Sequence, residues 1–289
     1  MKTLKIGDLL ARLPIIQGGM GVGISLSGLA SAVANQGGVG VISSAGLGVI
    51  YREHSKDYNT ASIWGLREEL RKASEKTKGI IGVNVMVAMS NFADMVRTAI
   101  AEKADIIFSG AGMPLNLPSF LTKGSKTKLA PIVSSARAAK LICEKWLANY
   151  KYVPDAIVVE GPKAGGHLGY KPEQITDEHF SLERLLPEIV SEVRRFGTAH
   201  DTHIPVIAAG GINAEGLMEE GPAWYYNGLA AVGLLVASLL FFNSLFMLGR
   251  AIRGYQKGHG GNPGVGCVRH AGESRVHVSA ASSPTSAWP

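Results

Sequence analysis

Seven short apolar runs, each ending in glycine or another small residue, constrain the fold of this 289-residue chain more than any other feature. The runs are rich in Val, Ile and Ala, and they begin at Pro14, Gly38, Gly79, Ala104, Leu129, Asp155 and Ile204. Continuous apolar runs of this length are typical of strands that are buried on both faces of a parallel sheet. The sequence therefore predicts at least seven such strands.

Segments with helical spacing lie between the runs, for example 63–76 and 136–150. In them apolar residues recur at helical spacing, and charged residues occupy the other face. Strands that alternate with helices, with starts often about 25 residues apart, indicate repeated βα units. A (β/α)8 TIM barrel and a doubly wound open sheet both fit this pattern. The small residues at the strand ends favour the barrel, because ligands of barrels lie at that rim. We predict an α/β fold of the (β/α)8 TIM-barrel class.

The last quarter of the chain departs from this pattern. Residues 221–249 include no charged side chain, and the apolar stretch 229–248 is long enough to span a bilayer. It could instead be the last βα unit of the barrel, which we favour because nothing earlier in the chain resembles a membrane protein. We therefore expect a barrel domain at 1–220, an apolar helix or atypical last unit at 221–253, and a disordered tail at 254–289.

Composition narrows the function further. The formal charge of +6 is modest, and no Lys/Arg-rich run indicates a nucleic-acid partner. The two cysteines, Cys143 and Cys267, are far apart and form no metal-binding pair. The N-terminal segment lacks the apolar stretch and cleavage site of a secretory signal, so we expect a cytoplasmic protein.

Two glycine-rich loops carry the residues suited to chemistry. The sequence VVEGPKAGGHLGY begins at Val158, and in it a strand ends at Glu160 and a glycine pair precedes His167. Glycines allow the backbone to approach a flat ligand, and histidine can exchange a proton near neutral pH. The second loop, QGGMGVG from Gln17, matches neither the P-loop nor the dinucleotide-binding GxGxxG motif.

Together with four other segments, these loops resemble the nitronate monooxygenase (2-nitropropane dioxygenase) family and the related FMN-dependent enoyl-acyl-carrier-protein reductases. The other segments are IIGVNVMVA, SGAGMPLNLP, KLAPIVSSARAAKLIC and IPVIAAGGI, and the resemblance covers about residues 4–212. It implies a flavoprotein in which FMN lies across the strand ends and His167 is the catalytic base. The residues that it places against FMN are Gly18, Gly19, Met20, Asn84, Ser109, Gly110, Glu160, Gly165, Gly166, Gly210 and Gly211.

The same resemblance implies that FMN and O2 together oxidise a small alkyl nitronate or nitroalkane, with no metal. Reduction of an enoyl thioester is the alternative reaction, and a non-catalytic remnant is a third reading. The third reading arises because the family's Gly-Thr-Arg-Phe-like turn, which completes the flavin phosphate site, is missing after residue 212. We therefore expect this chain to bind FMN weakly.

Overall fold

The computed structural model describes residues 3–166, 169–212 and 230–232, and the structural statements below concern these residues. All of them belong to one compact unit, Met1–Leu240. The second unit, Phe241–Pro289, lies outside the described residues.

An antiparallel hairpin begins the chain, with strands β1 (Leu4–Ile6) and β2 (Leu9–Ala11). A parallel sheet follows, in which each strand pairs with the next along the chain. Its strands are β3 (Val39–Ser43), β4 (Ile80–Met86), β5 (Ile106–Gly110), β6 (Lys128–Val133), β7 (Ile157–Glu160), β8 (Val206–Ala209) and β9 (Ala230–Val232). This sequential order is that of a barrel, whereas a doubly wound sheet reverses direction partway.

Helices connect the strands. They are α1 (Ser27–Asn35), α2 (Leu47–Ile50), α3 (Tyr58–Lys76), α4 (Phe92–Ala101), α5 (Ala136–Tyr150), α6 (Pro172–Ile175) and α7 (Leu182–Ala199), with 3-10 turns at Leu117–Phe120 and Glu178–Phe180. Side-chain caps fix two of the starts: Asp57 accepts a hydrogen bond from the Thr60 amide at the start of α3, and Ser135 accepts one from the Ala138 amide at the start of α5. The helix predicted at 136–150 is confirmed at both ends.

Apolar side chains form two separate cores. The larger core lies between the helices and the outer face of the sheet. The smaller core fills the inside of the barrel and includes Ile6, Ile16, Phe108, Val158 and Ile207. Ile6 comes from the β1–β2 hairpin, so the hairpin packs against the inner face of the sheet.

The hairpin also fixes which end of the barrel is closed. Asp8, in its turn, forms an ion pair of 2.7 Å with Lys128, the first residue of β6. The hairpin therefore covers the end at which the strands begin. The end at which they finish is left for a ligand, as in barrels generally.

The predicted TIM-barrel fold is confirmed, with one difference in its first strand. Six of the seven runs contain strands, β3 to β8, whereas the run from Pro14 forms no ladder among the described residues, and its Ile16 makes a parallel bridge with Val39. Glycines and a buried network follow Ile16 at once, so the pairing ends early. β9 pairs in parallel with β8 inside the apolar stretch 229–248, and so takes the eighth position in the barrel.

No helix among the described residues combines the length and apolar character that a membrane span needs. Apart from 230–232, the stretch 229–248 lies outside those residues, as does the predicted tail at 254–289. The domain limits proposed from the sequence stay a prediction.

Candidate functional site

Two adjoining cavities, of about 130 and 210 Å³, lie at the carboxyl ends of the strands. Six residues line both of them: Gly19, Met20, Asn84, Ile132, Glu160 and Gly165. The first cavity reaches down to core side chains such as Phe108 and Ile207. The second extends sideways past Met86 and Ala111 to Gly166. The shared residues make the two cavities parts of one candidate site.

The loop that follows the first run is held rigid by Gln17 and Ser25, both buried. Gln17 Nε2 donates to Ser25 Oγ (3.0 Å) and to the Val41 carbonyl (2.9 Å), and Gln17 Oε1 accepts from the Val41 amide. Ser25 Oγ accepts from the Met20 amide (2.9 Å) and donates to the Gly18 carbonyl (3.0 Å). Residues 18–20 are thus positioned by buried hydrogen bonds before any ligand arrives.

Asn84 and Gly19 form the contact between this loop and β4. Asn84 Nδ2 donates to the Gly19 carbonyl at 3.0 Å. A Cβ atom at position 19 would lie 2.4 Å from Asn84 Cβ, so this approach requires glycine. The polar side chain that stands out in an apolar strand therefore has a partner, as the cost of burying it alone demands.

Glu160 is the last residue of β7, and it lines both cavities. No described residue donates a hydrogen bond or offers a cation to that carboxyl group, whereas the Glu160 backbone carbonyl accepts one from the Tyr170 hydroxyl (2.6 Å). Burial among apolar neighbours raises the pKa of Glu160 to about 7. The site therefore holds a carboxyl group that gains or loses its proton near neutral pH.

The glycine pair after β7 borders the second cavity. A Cβ atom at Gly165 would lie 3.2 Å from Met20 Cε, and one at Gly166 would meet no atom within 4 Å. Gly166 also has a φ of +92°, in the region that favours glycine. This loop therefore presents bare backbone to open space.

The glycine pair after β8 has a different role in the fold. A Cβ atom at Gly210 would lie 2.9 Å from the Gly161 carbonyl oxygen, and one at Gly211 would lie 2.6 Å from Lys163 Cβ. Both glycines have positive φ and let the loops after β7 and β8 pack together. Gly210 also lines the first cavity, whereas Gly211 lines neither.

Most of the residues that the resemblance places against FMN come together here. Those that line the cavities are Gly18, Gly19, Met20, Asn84, Gly110, Glu160, Gly165, Gly166 and Gly210. Ser109 lines neither cavity: it is fully buried in β5, and its hydroxyl has no partner among the described residues. His167 lies outside the described residues, so its role as the base stays a prediction.

Fourteen other lining residues were not predicted from the sequence, and they have no common side-chain type. They are Ile16, Gln17, Gly21, Val41, Ser43, Ala45, Met86, Phe108, Ala111, Ile132, Val158, Ala164, Ile207 and Ala209. Position at or just beyond a strand end was the available signal for many of them, since strand ends meet at one rim. The apolar members are typical of strand residues anywhere in the barrel, so their residue type gave no further signal.

The lining suits a flat, largely apolar group with polar edges. Glycine backbone and aliphatic side chains provide most of the wall, and the polar side chains Gln17 and Asn84 are engaged in holding the loop at 17–25. Gly165 and Gly166 are exposed and have no side chain, so their backbone can approach such a group closely. The described residues therefore fit the aromatic ring system of a flavin.

Comparison with known proteins agrees with this geometry. Residues 2–219 match the family model described as nitronate monooxygenase. A (3aS,4S,5R,7aS)-5-hydroxy-7a-methyl-1-oxo-octahydro-1H-indene-4-carboxyl-CoA dehydrogenase from Mycobacterium tuberculosis is 29% identical, over 68% of this chain and 45% of that protein. A nitronate monooxygenase from Paraburkholderia phytofirmans is 28% identical, over 69% of this chain and 56% of that protein.

A solved structure, FabK from Thermotoga maritima, superimposes with a TM-score of 0.57 at 27% identity. The match covers 78% of this chain and 58% of that one. The chain thus spans about half the length of the curated relatives that it matches. Because the family model covers three quarters of the sequence, the chain belongs to the nitronate monooxygenase family.

Proposed function

We propose that this chain is an FMN-dependent oxidoreductase that oxidises alkyl nitronates or nitroalkanes with O2. The observation that carries the proposal is the gathering of nine glycine, methionine, asparagine and glutamate residues around one site at the strand ends. The family resemblance places all nine of these residues against FMN. Membership of the nitronate monooxygenase family supports the choice of reaction.

Under this proposal the protein binds and orients, and the bound flavin supplies the redox chemistry. The backbone at Gly165 and Gly166 and the fixed loop at 18–20 would hold the ring. Asn84 holds that loop in place through the Gly19 carbonyl. It is important that this loop is held in place before a ligand binds, because the reacting atoms must be placed correctly within a fraction of an ångström.

We assign His167 the acid–base role. It directly follows the glycine pair that borders the second cavity, and its unperturbed pKa suits proton removal near neutral pH. From that position it would take the α-proton of a neutral nitroalkane. In its protonated form it would stabilise the negative charge of a nitronate.

Oxygen consumption tests this proposal. The purified chain is first loaded with FMN, and uptake of O2 is then followed with propyl-2-nitronate and with 2-nitropropane. The account expects uptake that requires both FMN and the nitro substrate. No uptake with either substrate, from protein that demonstrably holds FMN, would refute nitronate oxidation.

Redox chemistry on an acyl thioester is the second candidate. It is favoured by the similarity to a carboxyl-CoA dehydrogenase and to FabK, both at identities close to that of the nitronate monooxygenase. The same FMN-loaded protein would then oxidise NAD(P)H in the presence of crotonyl-CoA and ignore the nitronate. Parallel assays of the two reactions separate the candidates.

A further inference from the structure

Glu160 is the one ionisable side chain among the described residues that line the two cavities. Its neighbours in the wall include Met20, Ile132, Val158 and Ala209, which offer it neither a hydrogen bond nor a charge. Its cross-strand partner on β8 is Ala209. A ligand that fills the cavities therefore meets Glu160 with no described residue placed to neutralise its charge.

We propose that Glu160 couples ligand binding to protonation, so that the site accepts the flavin ring when the Glu160 carboxyl is neutral and disfavours it when the carboxyl is ionised. This inference rests on the proposed function, because it takes the flavin ring as the ligand. It gives Glu160 a specific chemical role within the site.

Desolvation is the first reason. Glu160 lines two cavities that water can occupy, and a ligand that fills them would displace that water from around the residue. An ionised carboxylate without a donor or cation is strongly disfavoured under such conditions, whereas the neutral acid is tolerated. Ligand binding should consequently favour the protonated form.

The supply of hydrogen-bond donors is the second reason. Both N–H groups of Gln17 are already engaged with Ser25 and Val41, and one N–H group of Asn84 is engaged with Gly19. The edge of a flavin ring carries several carbonyl oxygens and ring nitrogens that accept hydrogen bonds. A protonated Glu160 offers an O–H donor to that edge, while an ionised Glu160 offers only acceptors.

Among the described residues, no titratable group near Glu160 other than Glu160 itself would make flavin binding depend on pH in this range. Tyr170 donates its hydroxyl hydrogen to the Glu160 backbone carbonyl, and burial followed by the Glu160 charge raises the pKa of Tyr170 to about 12. Lys163 packs its Cβ towards Gly211 and forms no ion pair with Glu160. The ends of β6 and β8 and the loop at 17–20 present no titratable side chain to it. His167 lies outside the described residues, so the experiment must separate its contribution.

The pH range follows from the direction of the shift. Burial raises the pKa of Glu160 to about 7, so the carboxyl is neutral at about pH 6 and ionised at about pH 8.5. If the ring binds the neutral form alone, flavin affinity falls by about 30-fold between these two values. Binding at the higher pH should also take up about one proton per flavin.

Calorimetric titration of the full chain with flavin measures the flavin affinity and the proton uptake. Each titration is run at each pH in two buffers of different ionisation enthalpy, because the difference in heat gives the number of protons taken up. Glu160→Gln keeps the size of the side chain and cannot ionise, so its affinity should be equal at the two pH values. Glu188→Gln removes an exposed carboxyl on α7 and should behave like the unaltered chain. Riboflavin is titrated beside FMN, because it lacks the phosphate, whose second pKa is about 6.

The inference is supported if both flavins lose affinity at high pH with the unaltered chain and Glu160→Gln abolishes that loss. It is overturned if affinity is independent of pH, if the dependence persists in Glu160→Gln, or if FMN alone shows it. Failure of FMN to bind either protein at either pH would refute the proposed flavin function itself, and this inference with it. A pH-independent but measurable affinity would refute only the inference.

Discussion

The buried carboxyl group of Glu160 lowers the free energy of unfolding when it is ionised. Its pKa is raised from 4.5 to about 7 by burial, so the folded protein holds a proton that the unfolded chain releases. Below about pH 4.5 the group is protonated in both states and has no effect on stability. Above about pH 7 it is ionised in both, and the folded state bears the full cost of the buried charge.

Because a pKa raised from 4.5 to about 7 is equivalent to about 3.4 kcal/mol, Glu160→Gln should stabilise the ligand-free protein by about 3 kcal/mol at pH 7. The gain should vanish as the pH falls from about 7 to about 4.5. Urea unfolding of both proteins at several pH values measures it. Equal stability at all pH values would show that the carboxyl is not buried as described.

His167 is the predicted catalytic base. His167→Ala should lower turnover of a neutral nitroalkane by about 100-fold or more, the usual effect of losing a general base, while FMN content stays nearly unchanged. His179, which is 92% exposed and pairs with Asp177, provides the matched control, because its removal should leave turnover intact. Undiminished turnover in His167→Ala would remove His167 from the mechanism.

The loop at 17–25 is the element that prepares the site. Ser25 Oγ makes three hydrogen bonds in it, with Gln17, Met20 and Gly18. Ser25→Ala leaves one buried N–H donor, one partly buried N–H donor and one carbonyl without this partner. We expect it to lower the free energy of unfolding by about 2 to 3 kcal/mol and to weaken FMN binding as well.

Ser31→Ala is the control for that substitution. Ser31 is equally buried, in α1, but its hydroxyl has no hydrogen-bond partner among the described residues. Its removal should change stability by less than about 1 kcal/mol or raise it slightly. Similar losses from the two substitutions would mean that the Ser25 network does not stabilise the loop.

The elements predicted well from sequence are those with a strong local pattern. Strands β3 to β8 follow from the apolar runs, and helix α5 follows from its helical spacing. The β1–β2 hairpin was not foreseen, because three-residue strands are too short to show an alternating pattern. The hairpin is held instead by distant contacts such as the ion pair between Asp8 and Lys128.

Some residues of the candidate site could likewise be predicted from the sequence, and others could not. Gly19, Asn84 and Gly165 could be chosen from motif text, since glycine and a lone polar residue are visible in an apolar run. The raised pKa of Glu160 could not be predicted, because it depends on burial that arises only when the strands and loops come together. Ser109 was placed against FMN by the motif, yet its side chain is enclosed in the protein.

At the scale of the whole molecule, the described strands β3 to β8 form consecutive positions of the barrel, and β9 occupies the eighth strand position. The turn that completes the family's phosphate site is missing from the sequence after residue 212. Loss of two or three charge-assisted hydrogen bonds, each worth roughly 1.5 to 3 kcal/mol, should weaken FMN binding by several powers of ten. The purified chain should therefore be largely free of flavin, and a dissociation constant in the low nanomolar range would contradict this.

Titration of the flavin-free chain with FMN, followed by quenching of flavin fluorescence, tests the central claim that the strand-end cavities bind the flavin ring. The informative variant is Gly166→Val, in which the new side chain would project into the open space beside the cavity. Its control is Gly124→Val, since Gly124 also has positive φ and free space, but lies in a loop beside Lys126 and Thr127 at the start of β6.

The account predicts saturable binding of one FMN per chain, with a dissociation constant in the micromolar range, by the unaltered protein and by Gly124→Val. It predicts no saturable binding by folded Gly166→Val. Equal titrations of the two variants, or no binding by the unaltered chain, would contradict the placement of the flavin in these cavities.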